Sequence, residues 1–359
     1  LTTVTASSYI AYRQDWLELR REEALEPSLP IVDPHHHLYE RPRPLYLLDQ
    51  LLTDTASGHR VIATVFVDSR SMYRDYGPEE TRCVGETEFA NGVAAMCASG
   101  VYGPTRACAG IVSAAQLDLG ARVREVLEAH VRAGNGRFRG IRHITAWDAD
   151  AAVQPPHPDR RAGMLAERTF REGFAQLAPL GLSFDAYLFH PQIPELAAIA
   201  RQFPDTAIVL NHLGMPLGVG PYAGRRSAVF EAWKKAMADL AGCANVSVKL
   251  GGLGMRIAGF GFHETPLPPS SEALAAAWRP CMETAIELFG TRRCMFESNF
   301  PPDRGSCSYG VLWNAFKRIA AGCSAEEKSD LFSATARRIY RLELPAAPAN
   351  AEAVEASQR

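Results

Sequence analysis

Short apolar runs, each stopped by a polar or proline-containing turn, recur along this chain with room for one helix between them. The first, Ile31-Val32, leads into Asp33-Pro34 and then into three consecutive imidazoles, His35, His36 and His37. Further runs lie at 61–67, 107–112, 138–144, 182–188, 207–210, 246–250 and 293–296. Between them, 121–133, 161–178, 193–202, 228–241 and 271–288 carry apolar residues at helical spacing. Eight strand candidates alternating with helices predict an α/β protein built as a (β/α)8 TIM barrel and not as an open sheet.

Outside that alternation, residues 9–26 have helical propensity and stop at Pro27, which predicts an N-terminal helix packed on the outside of the barrel. The expected division is an N-terminal helical extension over 1–27, a catalytic barrel over 28–344 and a flexible C-terminal tail over 345–359. No Ser-, Gly- or Pro-rich linker divides 28–344, so one domain is expected there.

Composition narrows the partners more than the chemistry. The chain has 359 residues, 47% hydrophobic and 22% charged, with Lys+Arg 38 against Asp+Glu 40 and a net charge of −2. With no basic block, neither nucleic acid nor an anionic membrane is an expected partner. No apolar run approaches the roughly 20 residues of a membrane-spanning helix. Residues 1–8 lack the basic start and apolar core of a signal peptide. The eight cysteines form no Cys-x-x-Cys pair and read as reduced thiols. A cytoplasmic protein is expected, with room for a homo-oligomer. Cys307 is expected to be exposed and Cys108 and Cys294 to be small core residues.

Candidate chemistry falls where a barrel would use it. Active sites of such barrels gather at the C-terminal ends of the strands. His35 and His37 end the first run and alternate with His36, so the two share a face. Arg142 and His143 end the fourth run, Tyr187 and His190 the fifth, Asn211 and His212 the sixth, Lys249 the seventh, and Glu297, Ser298 and Asn299 the eighth. Paired imidazoles at a strand end suggest a divalent-metal site, with His212 as a third ligand. A guanidinium at a barrel mouth suits a substrate carboxylate, which makes Arg142 a clamp. Lys249 offers further positive charge. His143, His190 and Tyr187 are candidate substrate contacts, and His190 is equally suited to capping its loop. The glycine-rich turn Gly251-Gly252-Leu253-Gly254 reads as a tight loop before it reads as an anion cradle. Segments 68–87 and 255–270 are long enough to serve as lids.

Taken together, Asp33-Pro34-His35-His36-His37, Arg139-Gly140-Ile141-Arg142-His143, Asn211-His212-Leu213-Gly214 and Phe296-Glu297-Ser298-Asn299-Phe300-Pro301 resemble the amidohydrolase superfamily. The likeness is to its "amidohydrolase 2" branch, which includes sugar-lactone and pyrone-dicarboxylate lactonases and some non-oxidative decarboxylases. The resemblance covers about residues 30–342. It implies a mononuclear or vestigial metal site at the barrel mouth, for zinc or manganese, with His35 and His37 as the first-strand pair and His212 as the later histidine. It also exposes a departure. The branch usually ends its eighth strand with Gly-Ser-Asp-aromatic-Pro, and here Glu297 stands at the Gly and Asn299 at the Asp. Asn211 likewise stands where relatives often carry Asp. Asn cannot accept a proton at neutral pH and is a weaker ligand than a carboxylate.

These residues lead to three expectations for function. The first is hydrolysis of a lactone or similar cyclic ester of a small organic acid. Glu297, two residues before Asn299 and on its face, or Asp303 beyond Pro301-Pro302, supplies the missing carboxylate. Arg142 and Lys249 hold a substrate carboxylate or the developing oxyanion. The second is non-oxidative decarboxylation of an aromatic acid, which has less need of a water-activating base. The third is a barrel without a base that only binds a small acid.

Overall fold

The computed structural model describes residues 10–40, 44–153 and 159–344. Eight strands, β1 (Pro30–His36), β2 (Arg60–Val67), β3 (Arg106–Ser113), β4 (Phe138–Ile141), β5 (Ser183–Ala186), β6 (Ile208–Leu210), β7 (Val246–Leu250) and β8 (Cys294–Phe296), pair in parallel and in sequence order. Each neighbouring pair is joined by a crossover, as parallel strands require. The sheet closes on itself beyond the end of β8. Asn299 N–H donates to His35 O at 2.9 Å, and His37 N–H donates to Phe300 O at 2.8 Å. Asp33 locks the same seam, accepting from Ser298 N at 3.0 Å, Ser298 Oγ at 2.6 Å and the Tyr309 hydroxyl at 3.0 Å. Two residues of the sequence motifs, Asp33 and Ser298, therefore hold the barrel shut. The predicted (β/α)8 barrel is the fold.

The helices around it are, in chain order, α1 (Gln14–Glu18), α2 (Leu48–Thr55), α3 (Val84–Ala98), α4 (Val123–Ala133), α5 (Arg168–Phe174), α6 (Ile193–Gln202), α7 (Arg226–Ala241), α8 (Ser271–Phe289), α9 (Tyr309–Ile319), α10 (Ala325–Ser329) and α11 (Thr335–Ile339). Strand side chains split into two cores. Ile31, Phe66, Ile111, Phe184, Leu210, Val248 and Phe296 point outward to the helices. Val32, Ala63, Val65, Val67, Val112, Val209 and Met295 point inward.

That parity sets the site. On β5 and β7, and just past β8, it turns Asp185, Lys249 and Glu297 inward, beside the outward neighbours Phe184 and Ala186, Val248 and Leu250, and Phe296. The barrel interior also takes in Ala336, Tyr340 and Leu342 from α11 and the residues after it. This segment enters from the N-terminal ends of the strands. Thr335 and Arg341 bind the carbonyls of Thr291 and Gly181, at 3.2 Å and 2.8 Å, just before β8 and β5. Burying Leu342 there is worth roughly 2 kcal/mol.

The N-terminal extension departs from its expected helix, because only Gln14–Glu18 is α-helical. The stretch after it is held by α8 and α9 instead, with the Glu22 carboxylate accepting from Ser271 N–H at 2.8 Å. Leu25 N–H donates to Asn314 at 2.8 Å, and Lys317 Nζ donates to the carbonyls of Leu25 and Glu26 at 2.6 Å and 2.9 Å. Tertiary partners outweigh a weak helical preference here. The anticipated tail, 345–359, lies outside the described residues. Among the described residues, no helix is long and apolar enough to cross a membrane.

Candidate active site

β1 delivers its imidazoles on alternating faces. His36 Nε2 turns outward to Thr64 Oγ1 at 2.8 Å, while His35 and His37 turn inward, with Nε2 atoms 3.3 Å apart. His37 Nδ1 lies 2.9 Å from Val67 O. A carbonyl only accepts, so His37 carries its proton on Nδ1 and presents a lone pair at Nε2. Burial, reinforced by Lys249, His212, His37 and Arg142, holds His35 well below the usual imidazole range, and burial and Arg142 do the same for His37. Both are neutral at pH 7.

His212 follows β6 in a strained turn. His212 and Leu213 both adopt left-handed backbone, at φ 54° and 58°. Such residues cost on the order of 1–3 kcal/mol each and cluster at functional sites. Its ring lies 4.7 Å from that of His35, centroid to centroid, and Tyr187 packs edge-on against its other side at 5.1 Å. Glu297, fully buried, sits between the two imidazoles. Its Oε1 is 2.7 Å from His212 Nδ1 and 3.0 Å from His212 N, and its Oε2 is 2.7 Å from His35 Nδ1. The glycine turn after β7 backs onto this pair. A Cβ at position 251 would meet Glu297 Cγ at 2.5 Å, and one at 252 would meet His212 Nδ1 at 2.4 Å. Close approach to Glu297 and His212, and not anion binding, accounts for Gly251 and Gly252.

Two cations flank His35. Arg142 Nη1 is 3.3 Å from His35 Nε2, and the guanidinium is anchored by Asp68 through Nε–Oδ1 at 2.5 Å and a further bond to Asp68 O. Lys249 Nζ is 3.3 Å from His35 Nδ1 and 2.7 Å from Asp185 Oδ2. Asp185 is saturated by the site's underside, accepting also from Asn211 Nδ2 at 3.0 Å and from the Tyr340 hydroxyl at 2.9 Å. Asn211 is thus an orienting amide for Asp185. Asn299, at φ 51°, turns its amide to Asp303, donating from Nδ2 to Oδ1 at 2.8 Å, and Gly254 N–H donates to Oδ2 at 3.0 Å. Burial pushes the Asp303 carboxyl up to about 8.

The donor set fits a divalent metal. A tetrahedral ion with metal–nitrogen bonds of about 2.0–2.1 Å holds its ligand atoms about 3.3–3.4 Å apart. The 3.3 Å between the His35 and His37 Nε2 atoms matches that spacing. His35, His212 and Glu297 also bring one potential ligand atom each within 4.8 Å of one another. Which of these atoms would face the ion depends on which ring nitrogens carry protons.

Beside Arg142 opens a cavity of about 130 Å³, walled by Asp68, Arg70, Tyr73, Gln116, His143 and Asp159 among others. Segment 68–87 thus forms a cavity wall. The stretch after Gly254 does not. The carbonyls of His263, Thr265, Pro266 and Pro268 hold Arg13, Trp16 and Arg20 of the N-terminal extension.

The structure gathers His35, His37, His212, Arg142, Lys249 and Glu297, with Tyr187 against His212 and 6.0 Å from Arg142. His143 lines the cavity, its Nδ1 accepting from Leu117 N at 3.1 Å. His190 stands apart, accepting from Leu217 N at 3.4 Å and packing on Tyr222, the contacts of a loop cap. Cys307 is fully buried, a correction to its expected exposure, because the turn before it is covered by Ile10. Asp68, Asp185 and Tyr340 were missed as site residues. Inward strand parity was the available signal for Asp185; nothing local marked Tyr340.

Over residues 32–342 the chain matches the Amidohydrolase family, and it belongs to that family. The uncharacterized protein y4mH of Sinorhizobium fredii is 33% identical over 340 residues, which are 88% of this chain and 99% of that one. An L-fucono-1,5-lactonase of Burkholderia multivorans is 26% identical over 219 residues, 58% of this chain and 65% of that enzyme. A crystal structure of an amidohydrolase from Burkholderia multivorans with bound zinc has the same fold, with a TM-score of 0.65 at 23% identity, covering 87% of this chain and 99% of that one.

Proposed function

We propose that this amidohydrolase hydrolyses a lactone or similar cyclic ester at the cavity beside Arg142. The observation that carries the reading is the His35–His37 Nε2 pair, 3.3 Å apart, directly behind a guanidinium that borders the cavity. Similarity to a lactonase at 26% identity supports it. His35, His37 and His212 would hold a divalent metal, which would supply Lewis acidity to the reacting carbonyl and to water. The protein's own groups do the rest. Arg142, held rigid by Asp68, donates to the carbonyl oxygen as it gains charge. Water adds to the carbonyl carbon, the ring C–O bond breaks, and a hydroxy acid leaves.

The proton of that water needs a carboxylate. Glu297 is occupied by two imidazoles, so the reading assigns the proton to Asp303, which Asn299 orients and whose carboxyl, pushed up by burial to about 8, becomes a proton acceptor as pH rises towards that value. The cavity lining carries Asp68, Glu79, Glu80 and Asp159 against Arg70 and Arg142, each guanidinium already facing a carboxylate. This balance favours a lactone without a negative charge over the carboxylate-bearing substrate expected from Arg142 alone. One observation favours a second reading, non-oxidative decarboxylation of an aromatic acid: Asn299 stands where a water-activating carboxylate is usual.

A panel of sugar lactones and aromatic acids, followed by proton release and by CO2 evolution with and without chelator, separates these readings. Proton release from a lactone is the expected result, and Asp303→Asn should lower kcat by about 10²-fold or more. Evolution of CO2 from an aromatic acid would replace the first reading with the second. Silence from every compound, with binding retained, would leave a small-molecule-binding barrel.

A further inference from the structure

Among the described residues, Glu297 is the one ionisable side chain that touches both His35 and His212 through their Nδ1 atoms. We infer that Glu297 is a positioning residue that fixes the proton of both imidazoles on Nδ1, so that their Nε2 lone pairs are left for the metal.

The His212 half is a full hydrogen bond. Oε1 receives the ring Nδ1 at 2.7 Å and the backbone N–H of the same residue at 3.0 Å, which leaves that oxygen no room for an ion. A carboxylate at this distance tolerates a proton on Nδ1 and repels a lone pair. The His35 half is a close approach and not a full hydrogen bond: Oε2 lies 2.7 Å from Nδ1 and has no hydrogen-bond partner among the described residues. Lys249 competes for the same nitrogen from 3.3 Å, where it would need a lone pair on Nδ1. The nearer carboxylate prevails, because a lone pair on Nδ1 would face Oε2 at 2.7 Å, a repulsion stronger than the longer ammonium contact at 3.3 Å could offset. His37 needs no such help, since the Val67 carbonyl at 2.9 Å does the same work.

All three imidazoles then follow one rule: an acceptor behind Nδ1, a lone pair at Nε2. A histidine ligand usually donates its second ring N–H to a carboxylate or carbonyl in this way, which orients the ring and raises its basicity. The cluster His35–His212–Glu297 is therefore not a ligand set. It is two ligands and the group that aims them. The assignment also explains why a glutamate fits where the resemblance predicts glycine. Residue 297 reaches behind the rings, not over them, and Gly251 and Gly252 leave it the space.

The assignment rests on the metal-site reading above, and the test separates the two. Metal-free protein with ¹⁵N-labelled imidazoles is examined by long-range proton–nitrogen NMR, which distinguishes the two tautomers directly. The expected spectrum has His35, His37 and His212 all protonated on Nδ1. In Glu297→Gln the amide accepts from one ring and donates to the other. One of His35 and His212 should then move its proton to Nε2 while His37 stays unchanged, reporting an intact fold. Zinc affinity, measured by titration against a competing chelator, should fall roughly 10–100-fold. Nε2 protonation of His35 or His212 in the unaltered protein overturns the proposal without any variant. So does a Glu297→Gln protein with unchanged tautomers and zinc affinity. Nδ1 protonation of all three with no zinc uptake upholds the role of Glu297 and removes the metal from the proposed function.

Discussion

At the scale of residues, the site is governed by what each polar group is already doing. Arg142 is a case in point. It reads as a carboxylate clamp from its place at a strand end, yet its Nε and Nη2 are committed to Asp68, leaving Nη1 beside His35. A lysine cannot hold a carboxylate and point a second donor at the imidazole pair in fixed geometry. Arg142→Lys should therefore lower kcat/KM by about 10²-fold, comparable to losing one oxyanion donor. Steady-state kinetics beside a thermal melt that matches the parent would check it; unchanged kinetics would remove Arg142 from the reaction. The same logic favours loop capping for His190, an imidazole just past a strand end that accepts from the Leu217 amide and packs on the Tyr222 ring.

At the scale of elements, the N-terminal extension shows how a segment without much helix of its own is held. Lys317 on α9 is 2% exposed, donates to the carbonyls of Leu25 and Glu26, and lies 2.8 Å from His59 Nδ1. Lys317→Met takes the donor from the Leu25 carbonyl and leaves the Glu26 carbonyl only Leu29 N–H, and should cost about 1–3 kcal/mol, read by urea denaturation at pH 7. Burial lowers the Lys317 ammonium to about 8, below its unfolded value of about 10.4. Between these values the unfolded chain binds more protons than the folded one, so stability from this group rises with pH from about 8 to 10 and is flat below. The parent should gain on Lys317→Met across that window, and parallel stability curves would contradict the assignment.

At the scale of the whole molecule, the barrel is what brings the site together, and a metal bound to it should stabilise the fold. At a hundredfold excess over Kd, zinc should add about 2.7 kcal/mol. A higher thermal midpoint, reversed by chelator, is the measurement, together with metal near one equivalent in protein purified without chelator. A midpoint indifferent to zinc and manganese would move the chemistry onto Arg142 and Asp303.

Much of this was legible in the chain itself. Strand runs and helical spacing are local patterns, so the eight strands were each placed and the barrel followed from their alternation. Barrel architecture then put His35, His37, Arg142, His212 and Lys249 at one mouth, because strand ends are marked in sequence. What stayed hidden was pairing over distance. Glu297 and His212 are 85 residues apart, Lys249 and His35 are 214, and Tyr340 reaches Asp185 across 155. No periodicity carries such contacts, since periodicity reports only which face a residue takes. Residue order and parity determined that a carboxylate at position 297 points inward. Only the closed barrel, bringing β8 beside β1 and the turn after β6, decided that it lies behind two imidazoles.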